Sequence, residues 1–350
     1  MNRPVMSDIG VRERLLQLLE QGRAGAASGP DADACISGGR IADSLGVSRT
    51  AVWKHVEALR ERGYEIESVR SRGYRLLSVP ERITGERLSS ALQTRRLGRR
   101  SVCVEQTGST NSDAAQLARE GADEGTVVIA DAQSSGRGRL GRSWVSRPGC
   151  NLYMSVILRP PLPPTVAPQL SLVAGLAVAA ALDAVPAGGD GLRARIKWPN
   201  DVLVGGRKIC GILTEVEAEA DRVAHVVVGI GVNLNSTEDF FPPELRDIAT
   251  SVLLAGGVRV DRARFAASLL GELEALYDRF LAEGFGSLVG MWNDRAALVG
   301  SDVTVSGAGE EVSGKCVGID ADGALLVEEL PGSAPRRVLA GDVTIVGGYR

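Results

Sequence analysis

The stretch Gly136-Arg137-Gly138-Arg139-Leu140-Gly141-Arg142, with Gln133-Ser134-Ser135 before it and Trp144 after it, decides how the chain is read. Its glycines let the backbone bend closely around a ligand while guanidinium groups converge there, an arrangement suited to an anion. The same letters satisfy the dinucleotide pattern G-x-G-x-x-G. That pattern serves a nicotinamide cofactor only where a helix follows at once and an acidic residue stands about 20 positions on. Here Ser143-Trp144-Val145-Ser146-Arg147-Pro148-Gly149 follows, a loop holding a helix-breaking proline. A flexible cationic loop that closes on a phosphorylated or carboxylated ligand fits better than a Rossmann turn.

Around this loop the composition is that of an ordinary globular protein: 350 residues, 44% hydrophobic, 24% charged and a net charge of −3. The longest apolar run, Leu170 to Leu182, is too short for a membrane span and predicts a buried helix. Met1 to Gly10 has no apolar signal core, so a soluble protein with no membrane partner is expected. Cys35, Cys103, Cys150, Cys210 and Cys316 are scattered without a C-x-x-C pair, and His55 and His225 are the only imidazoles. No zinc site is readable, no metal-binding residue is assigned, and a reducing cytoplasm is the expected compartment.

Upstream, Val11, Leu15, Leu16, Leu18 and Leu19 fall at helical spacing in Ile9 to Gln21. A Gly-, Ala- and Ser-rich stretch within about 22–36 reads as a mobile insertion. Ser37 is placed to cap a helix ending at Leu45, Gly46 to turn the chain, and Ser48 to cap a second helix through Arg62. Two strands, Tyr64 to Val69 and Tyr74 to Leu77, then flank the cationic tip Arg70-Ser71-Arg72-Gly73. Helix, turn, helix and basic wing predict a winged helix-turn-helix over residues 1–80. Arg49, Thr50, Trp53 and Lys54 would face base edges, with Arg70 and Arg72 on phosphates. A protein-docking module is the competing reading of the helices alone. The basic wing favours DNA, and between Ser37 and Leu77 cations outnumber acids although the whole chain is acidic.

From Thr84 strands such as Val127 to Ala130, Leu152 to Leu158 and Val226 to Gly229 alternate with helices such as Asn111 to Glu120 and Leu170 to Leu182. Helices are also predicted over Asp261 to Phe280 and Ser287 to Arg295. A mixed α/β domain over 84–296 follows. After Leu298, short strands broken by Gly and Asp predict a small β-barrel over 297–350.

Four clusters of the central domain call for one explanation. Gly108-Ser109-Thr110-Asn111 precedes a helix and either caps it or binds a neutral polar ligand. The arginine loop is the second. Lys197-Trp198-Pro199-Asn200-Asp201, with Arg207-Lys208-Ile209-Cys210-Gly211-Ile212-Leu213, is the third. Gly229-Ile230-Gly231-Val232-Asn233-Leu234-Asn235 is the fourth, where small residues let a ligand approach the backbone. Together they supply cations, amide and hydroxyl groups and close backbone approach, which an acid-activating enzyme requires.

On G-R-G-R-x-G-R-x-W, K-W-P-N-D and R-K-x-x-G-I-L the chain resembles the biotin protein ligases, specifically the bifunctional type whose N-terminal winged helix also represses the biotin operon. The resemblance runs from the first helix to Gly348. It implies an α/β (α+β) protein with a central domain of the class II aminoacyl-tRNA synthetase/biotin ligase type and an SH3-like C-terminal barrel. It implies activation of biotin by ATP to biotinyl-5′-adenylate, Mg²⁺ riding with the phosphates, and transfer to a lysine of a biotin carboxyl carrier protein or other biotin-accepting domain. By the same resemblance Arg139, Lys208 and Asp201 are the catalytic residues. Ser109, Thr110, Asn111, Gln133, Arg137, Gly138, Arg139, Lys208, Gly229 and Gly231 bind biotin, and Arg139, Arg142, Trp144, Asn200, Lys208 and Asn233 the nucleotide. Lys197 is a second cation that pairs with Asp201 or serves the site, and Trp198 is expected in the core. No adenine-stacking residue is assigned between Ser236 and Ile248. The adenylate-bound form is expected to dimerise and place two winged helices on operator DNA. A biotin-sensing repressor without transfer activity and a lipoate-type acyl ligase are the alternatives.

Overall fold

The computed structural model describes residues 8–26, 35–61, 64–78, 82–189, 191–219, 221–307 and 310–346. Residues 27–34 of the expected insertion, the helix end at Arg62 and the linker residues Pro80 and Glu81 lie outside them. The described residues fall into two compact units: the first holds those up to Ser78 together with Arg147–Gly149, and the second holds 82–146 and 150–346.

The first unit contains α1 (Asp8–Ala26), α2 (Gly38–Leu45), α3 (Arg49–Glu61) and the antiparallel pair β1 (Glu65–Val69) and β2 (Gly73–Ser78). α1 continues through Ala26, so Gly22 to Ala26 are helical rather than the start of a loop. The caps are those the sequence predicts: Ser37 Oγ accepts from Arg40 N at 3.2 Å, Ser48 Oγ from Ala51 N at 3.1 Å, and Gly46 takes the left-handed turn. Val11, Leu15, Leu19, Ile41, Val52, Val56 and Leu59 close the core with Tyr64, Ile66 and Leu76 from the wing. Gly73 is required there, because a Cβ would lie 2.1 Å from the Ile36 carbonyl where Ile36 pairs with Tyr74. Arg49, Thr50, Trp53 and Lys54 are exposed on α3, and Arg70 and Arg72 are exposed at the wing tip.

The second unit runs α4 (Gly85–Ala91), β3 (Ser101–Thr107), α5 (Thr110–Arg119), β4 (Val127–Gln133), β5 (Leu152–Leu158), α6 (Gln169–Asp183), β6 (Arg195–Lys197), β7 (Asp201–Val204), β8 (Arg207–Glu219) and β9 (Arg222–Val232). It continues through α7 (Val252–Gly256), α8 (Arg262–Glu283), α9 (Val289–Asp294), β10 (Asp302–Gly307), β11 (Glu310–Ile319), β12 (Leu325–Glu328), β13 (Arg336–Val338) and β14 (Asp342–Ile345). The central sheet has the order β3-β4-β5-β9-β8-β7-β6, parallel only between β3 and β4. Both its faces are buried. Val127, Ile129, Val156, Val226 and Val228 join α6 and α8 in the main core, while their neighbours Val128, Ile157 and Val227 meet Ala114 and Ala118 of α5 on the other face. α6 is buried nearly all round, as the apolar run Leu170 to Leu182 predicts.

The C-terminal strands do not form a closed barrel. Their order is β13-β12-β11-β10-β14, and the edge strands β13 and β14 each have one neighbour. Residues 310–315 of β11 pair with β10, and residues 315–319 pair with β12 across a bulge at Cys316/Gly318. The three residues of β13 are too short a ladder to close the ring. Val303, Val305, Cys316, Leu325 and Val327 of this sheet belong to the same core as α6, α8 and Trp292, so the sheet is part of the second unit.

Glu274 on α8 fixes the chain ahead of β3, its carboxylate accepting from Arg95 N and Arg96 N at 2.7 Å and from Leu97 N at 2.9 Å. Burial raises its pKa, but these three N–H groups outweigh burial and hold it below the ordinary 4.5. The carboxylate form is thus preferred in the fold, and its stabilisation is complete above 4.5 and lost as pH falls through the lower folded value. Glu274→Gln should lower unfolding free energy by about 1–3 kcal/mol at pH 7, and denaturant titrations should show the gap closing in acid.

Candidate functional site

The face of the central sheet under α5 changes along its length, and that change makes the site. The register aligns Ile157, Val227 and Glu215 in one row of side chains across β5, β9 and β8; Ser155, Gly229 and Leu213 in the next; and Tyr153, Gly231 and Gly211 in the third. The third row continues through Asp201 on β7 to Lys197 on β6. α5 covers the first row and ends at Thr110, so the glycines lie just past its N-terminus. A cavity of about 610 Å³ opens there.

The glycines make room for the protein's own side chains. A Cβ on Gly229 would lie 2.0 Å from Asn111 Oδ1, and one on Gly231 2.6 Å from Trp144 Nε1. Gly211 meets the same indole, at 2.9 Å from its Cζ3. The sequence reading had a ligand against this backbone; in the structure Asn111 and Trp144 stand over it and become the lining. Trp144 Nε1 is buried with no hydrogen-bond partner.

Asn111 is held on every side. Its Nδ2 donates to Leu213 O at 3.1 Å and Glu215 Oε2 at 2.7 Å, and its Oδ1 accepts from Ser155 Oγ at 2.6 Å. Ser155 Oγ also reaches Thr110 Oγ1 at 2.8 Å, and Gln133 Oε1 accepts from Thr110 N and Oγ1 at 2.9 and 3.1 Å. Gln133 Nε2 in turn donates to Ser146 Oγ at 2.9 Å. Ser109 occupies the N-cap of α5 yet makes no side-chain capping bond, so Gln133 caps the helix and capping does not explain Ser109.

The cations gather on the far side. Lys208 Nζ pairs with Asp201 Oδ1 at 2.7 Å and sits 5.5 Å from the Trp144 ring centroid. Asp201 therefore serves Lys208, and no ion pair joins it to Lys197. Burial pushes the Lys197 ammonium below its usual range while Asp201 opposes that shift. Trp198 is buried, its Nε1 donating to Gly323 O at 3.0 Å, as expected of a core residue.

The arginine loop is a small hairpin, with Gly138 N donating to Arg142 O and its tip turned by Leu140 and Gly141, both at positive φ. Each arginine is tied to a different wall. Arg137 donates to Glu215 Oε2 at 3.0 Å and Ser112 Oγ at 3.2 Å. Arg139 donates to Asn200 Oδ1 at 3.2 Å and lies 3.6 Å from Asp342, which also pairs with Arg142. Asn200 Nδ2 donates to Ile212 O at 2.7 Å, fixing the turn between β6 and β7.

Every biotin- and nucleotide-binding candidate named from the sequence lines this one cavity. Asn233 lines it with its amide engaged, Nδ2 donating to Thr250 O and Oδ1 accepting from Asn151. Sequence reasoning missed Ser155, Glu215 and Asp342. Ser155 had a signal, a small hydroxyl residue in the otherwise apolar and aromatic strand Leu152–Leu158; Glu215 had one in the alternation Gly211, Leu213, Glu215; Asp342 had none. Phe240 and Phe241, stacked edge to face at 5.3 Å, form a further wall with Leu245 and Ile248, in the stretch where no aromatic role was assigned. Among the described residues no cluster of His, Cys, Asp or Glu is able to hold a metal ion.

Comparison with known proteins agrees with this geometry. Residues 103–233 match the Biotin/lipoate A/B protein ligase family, 31–75 an HTH domain and 299–346 the Biotin protein ligase C terminal domain. The chain is 41% identical over 310 residues to the bifunctional ligase/repressor BirA of Bacillus spizizenii, covering 89% of this chain and 94% of that one. It is 34% identical to the BirA of Escherichia coli, over 84% of this chain and 88% of that one. The structure of a biotin protein ligase from Aquifex aeolicus in complex with biotin and ATP superposes with a TM-score of 0.59 at 29% identity, covering 71% of this chain and 98% of that one. The chain belongs to the biotin protein ligase family, of the bifunctional ligase/repressor type.

Proposed function

We propose that this chain activates biotin with ATP, forms biotinyl-5′-adenylate and transfers the biotinyl group to a lysine of a biotin carboxyl carrier protein. The observation that carries the reading is the division of one cavity into two chemistries. The neutral amide and hydroxyl set of Ser109, Thr110, Asn111 and Gln133 faces a cationic set of Lys208, Arg139 and Arg142. The first suits a ureido ring and the second a carboxylate meeting an α-phosphate. Attack joins two anions, so the site must neutralise charge and hold the atoms in line. Lys208, held by Asp201, and Arg139 bridge the reacting oxygens. Arg137 and Gly138 close the loop over the valeryl chain, with Gly229 and Gly231 beneath it. Arg142, Trp144 and Asn200 take the nucleotide end, Asn233 holds that wall through Asn151 and Thr250, and Phe240 and Phe241 form the apolar side for adenine. Mg²⁺ enters as the ATP complex. Pyrophosphate leaves as the biotin carboxylate bonds to the α-phosphorus. The acceptor lysine, oriented by Asp201 and having lost a proton to solvent, then attacks the biotinyl carbonyl as its neutral amine, forming the amide as the bond to AMP breaks, with the amine's second proton passing to solvent.

In the first unit, α3 and the wing bind operator DNA through Arg49, Thr50, Trp53, Lys54, Arg70 and Arg72, so the chain is also a biotin-responsive repressor. The adenylate-bound form dimerises, which places two such units on a two-fold operator. The C-terminal sheet is a half-open relative of the SH3 barrel. No helix among the described residues is long and apolar enough to cross a membrane. The cysteines, all free, suit a cytoplasmic location.

Incubation with biotin, Mg-ATP and a biotin carboxyl carrier domain should raise the intact acceptor mass by one biotinyl group. Lys208→Ala should reduce adenylate formation by about 10²-fold with an unchanged circular dichroism spectrum, the scale on which one charge-stabilising donor acts. No mass shift with biotin still bound tightly would favour the sensor without transfer. For the DNA module, Arg49→Ala should weaken operator binding and Arg72→Ala should reduce the slope of log affinity against log salt by about 1, read by fluorescence anisotropy from low to moderate salt.

A further inference from the structure

None of the roles above uses Glu215, and its place in the sheet does not call for a carboxylate. It lies on β8 two residues beyond Leu213, in the row beside Val227 where α5 begins to cover the face. Its side chain is 37% exposed, so burial does not select it either. What distinguishes it is one atom. Oε2 accepts at once from Nδ2 of Asn111, at 2.7 Å, and from the guanidinium of Arg137, at 3.0 Å. Asn111 is buried in the neutral half of the cavity, and Arg137 stands on the loop. On its outer side the same carboxylate lines a second hollow of about 370 Å³, bounded by Leu213 and the whole arginine loop.

Resting on the ligase reading, we infer that Glu215 is a positioning residue that couples the seat of biotin to the closure of the loop. A carboxylate oxygen has two lone-pair directions, and here one is set by Asn111 and the other read by Arg137. The Asn111 amide is fixed in turn by Ser155 and the Leu213 carbonyl, so its orientation is a property of the pocket floor. A ligand seated against Asn111 therefore bears, through Glu215 Oε2, on the same oxygen that Arg137 needs. The coupling is reciprocal: whatever closure of the loop adds to ligand affinity, the ligand adds to closure. Partial exposure keeps the pair weak enough to open when the adenylate must meet the acceptor.

Glu215→Gln separates the two contacts, since its amide oxygen still accepts from Asn111 while the charge that holds Arg137 is gone. The protein is loaded with labelled biotin and Mg-ATP, the enzyme-bound adenylate is isolated by rapid gel filtration, and its release is followed in excess unlabelled biotin. Glu215→Gln should release adenylate about threefold to tenfold faster, with the biotin KM within about twofold of the parent. Glu215→Ala, which also frees Asn111, should raise the biotin KM as well. Glu215→Gln combined with Arg137→Ala should release no faster than the faster single variant, because both remove one interaction. Parental release in Glu215→Gln, or effects that add in the double variant, would overturn the inference while leaving the ligase reading intact. No adenylate on the parent protein would overturn that reading and the inference with it.

Discussion

The site depends on a stretch of sheet with almost no side chains. In most sheets the row Tyr153, Gly231, Gly211 and the row above it would be filled by β-branched residues, as the row of Ile157 and Val227 is. Replacing them with glycine sacrifices packing and chain stiffness in the middle of two central strands. In return, the sheet accepts the Trp144 indole on Gly211 and Gly231 and the Asn111 amide on Gly229. Gly229 and Gly231 share a face as alternate residues of β9, and Gly211 joins them through the β8–β9 register, so a slip of β8 by one residue would turn Gly211 to the opposite face. The apolar alternation beneath α6 and α8 therefore does more than stabilise the domain: it locks the register that keeps the site open.

Placed on that floor, the polar groups sort themselves by burial. Thr110 and Asn111, in the first turn of α5, and Ser155 on β5 are buried, where an unpaired donor or acceptor is expensive, and each has a protein partner. The cations stay near the mouth, where water still reaches them: Lys208 is about one third exposed, and Arg142 more than that. A buried lysine is pushed toward its neutral form, as Lys197 is, so the side chain meant to stay charged is the one at the rim. The same logic explains why a triad of nucleophile, base and acid is absent from the proposed chemistry. Charge and alignment suffice when the leaving groups are already good.

How much of this was legible in the chain follows from the range of each interaction. Caps at Ser37 and Ser48, the turn at Gly46 and the wing around Gly73 are local, and they stand where the residues put them. The buried helix of Leu170–Leu182 announced itself by composition. β8 was harder, because Arg207-Lys208 and Gly211 interrupt the apolar pattern of a strand whose one face is a ligand site. The open C-terminal sheet was misread as a barrel since turn spacing fixes strands but not which edges meet. Asp342 was invisible: its meaning comes from Arg139 and Arg142, remote in sequence and brought to it only by the fold. Asn233 was legible as a cavity residue but not as one whose amide is already occupied.

The arginine loop sets a strained turn against three partly solvated anchors. Leu140 at the tip holds φ +54°, a left-handed conformation that costs a leucine about 1 kcal/mol. Against it stand three anchors, Arg137 to Glu215, Arg139 to Asn200, and Arg142 to Asp342, on β8, on the turn between β6 and β7, and on β14. Each is partly solvated, and such contacts contribute about 0–1 kcal/mol apiece. The sum comes within a kilocalorie or two of the strain, so the turn and its anchors nearly offset one another. A ligand that favours the closed form by about 1.4 kcal/mol then changes its population ratio tenfold. The anchors sit on three separate walls, so the loop itself bridges the neutral and cationic halves of the cavity.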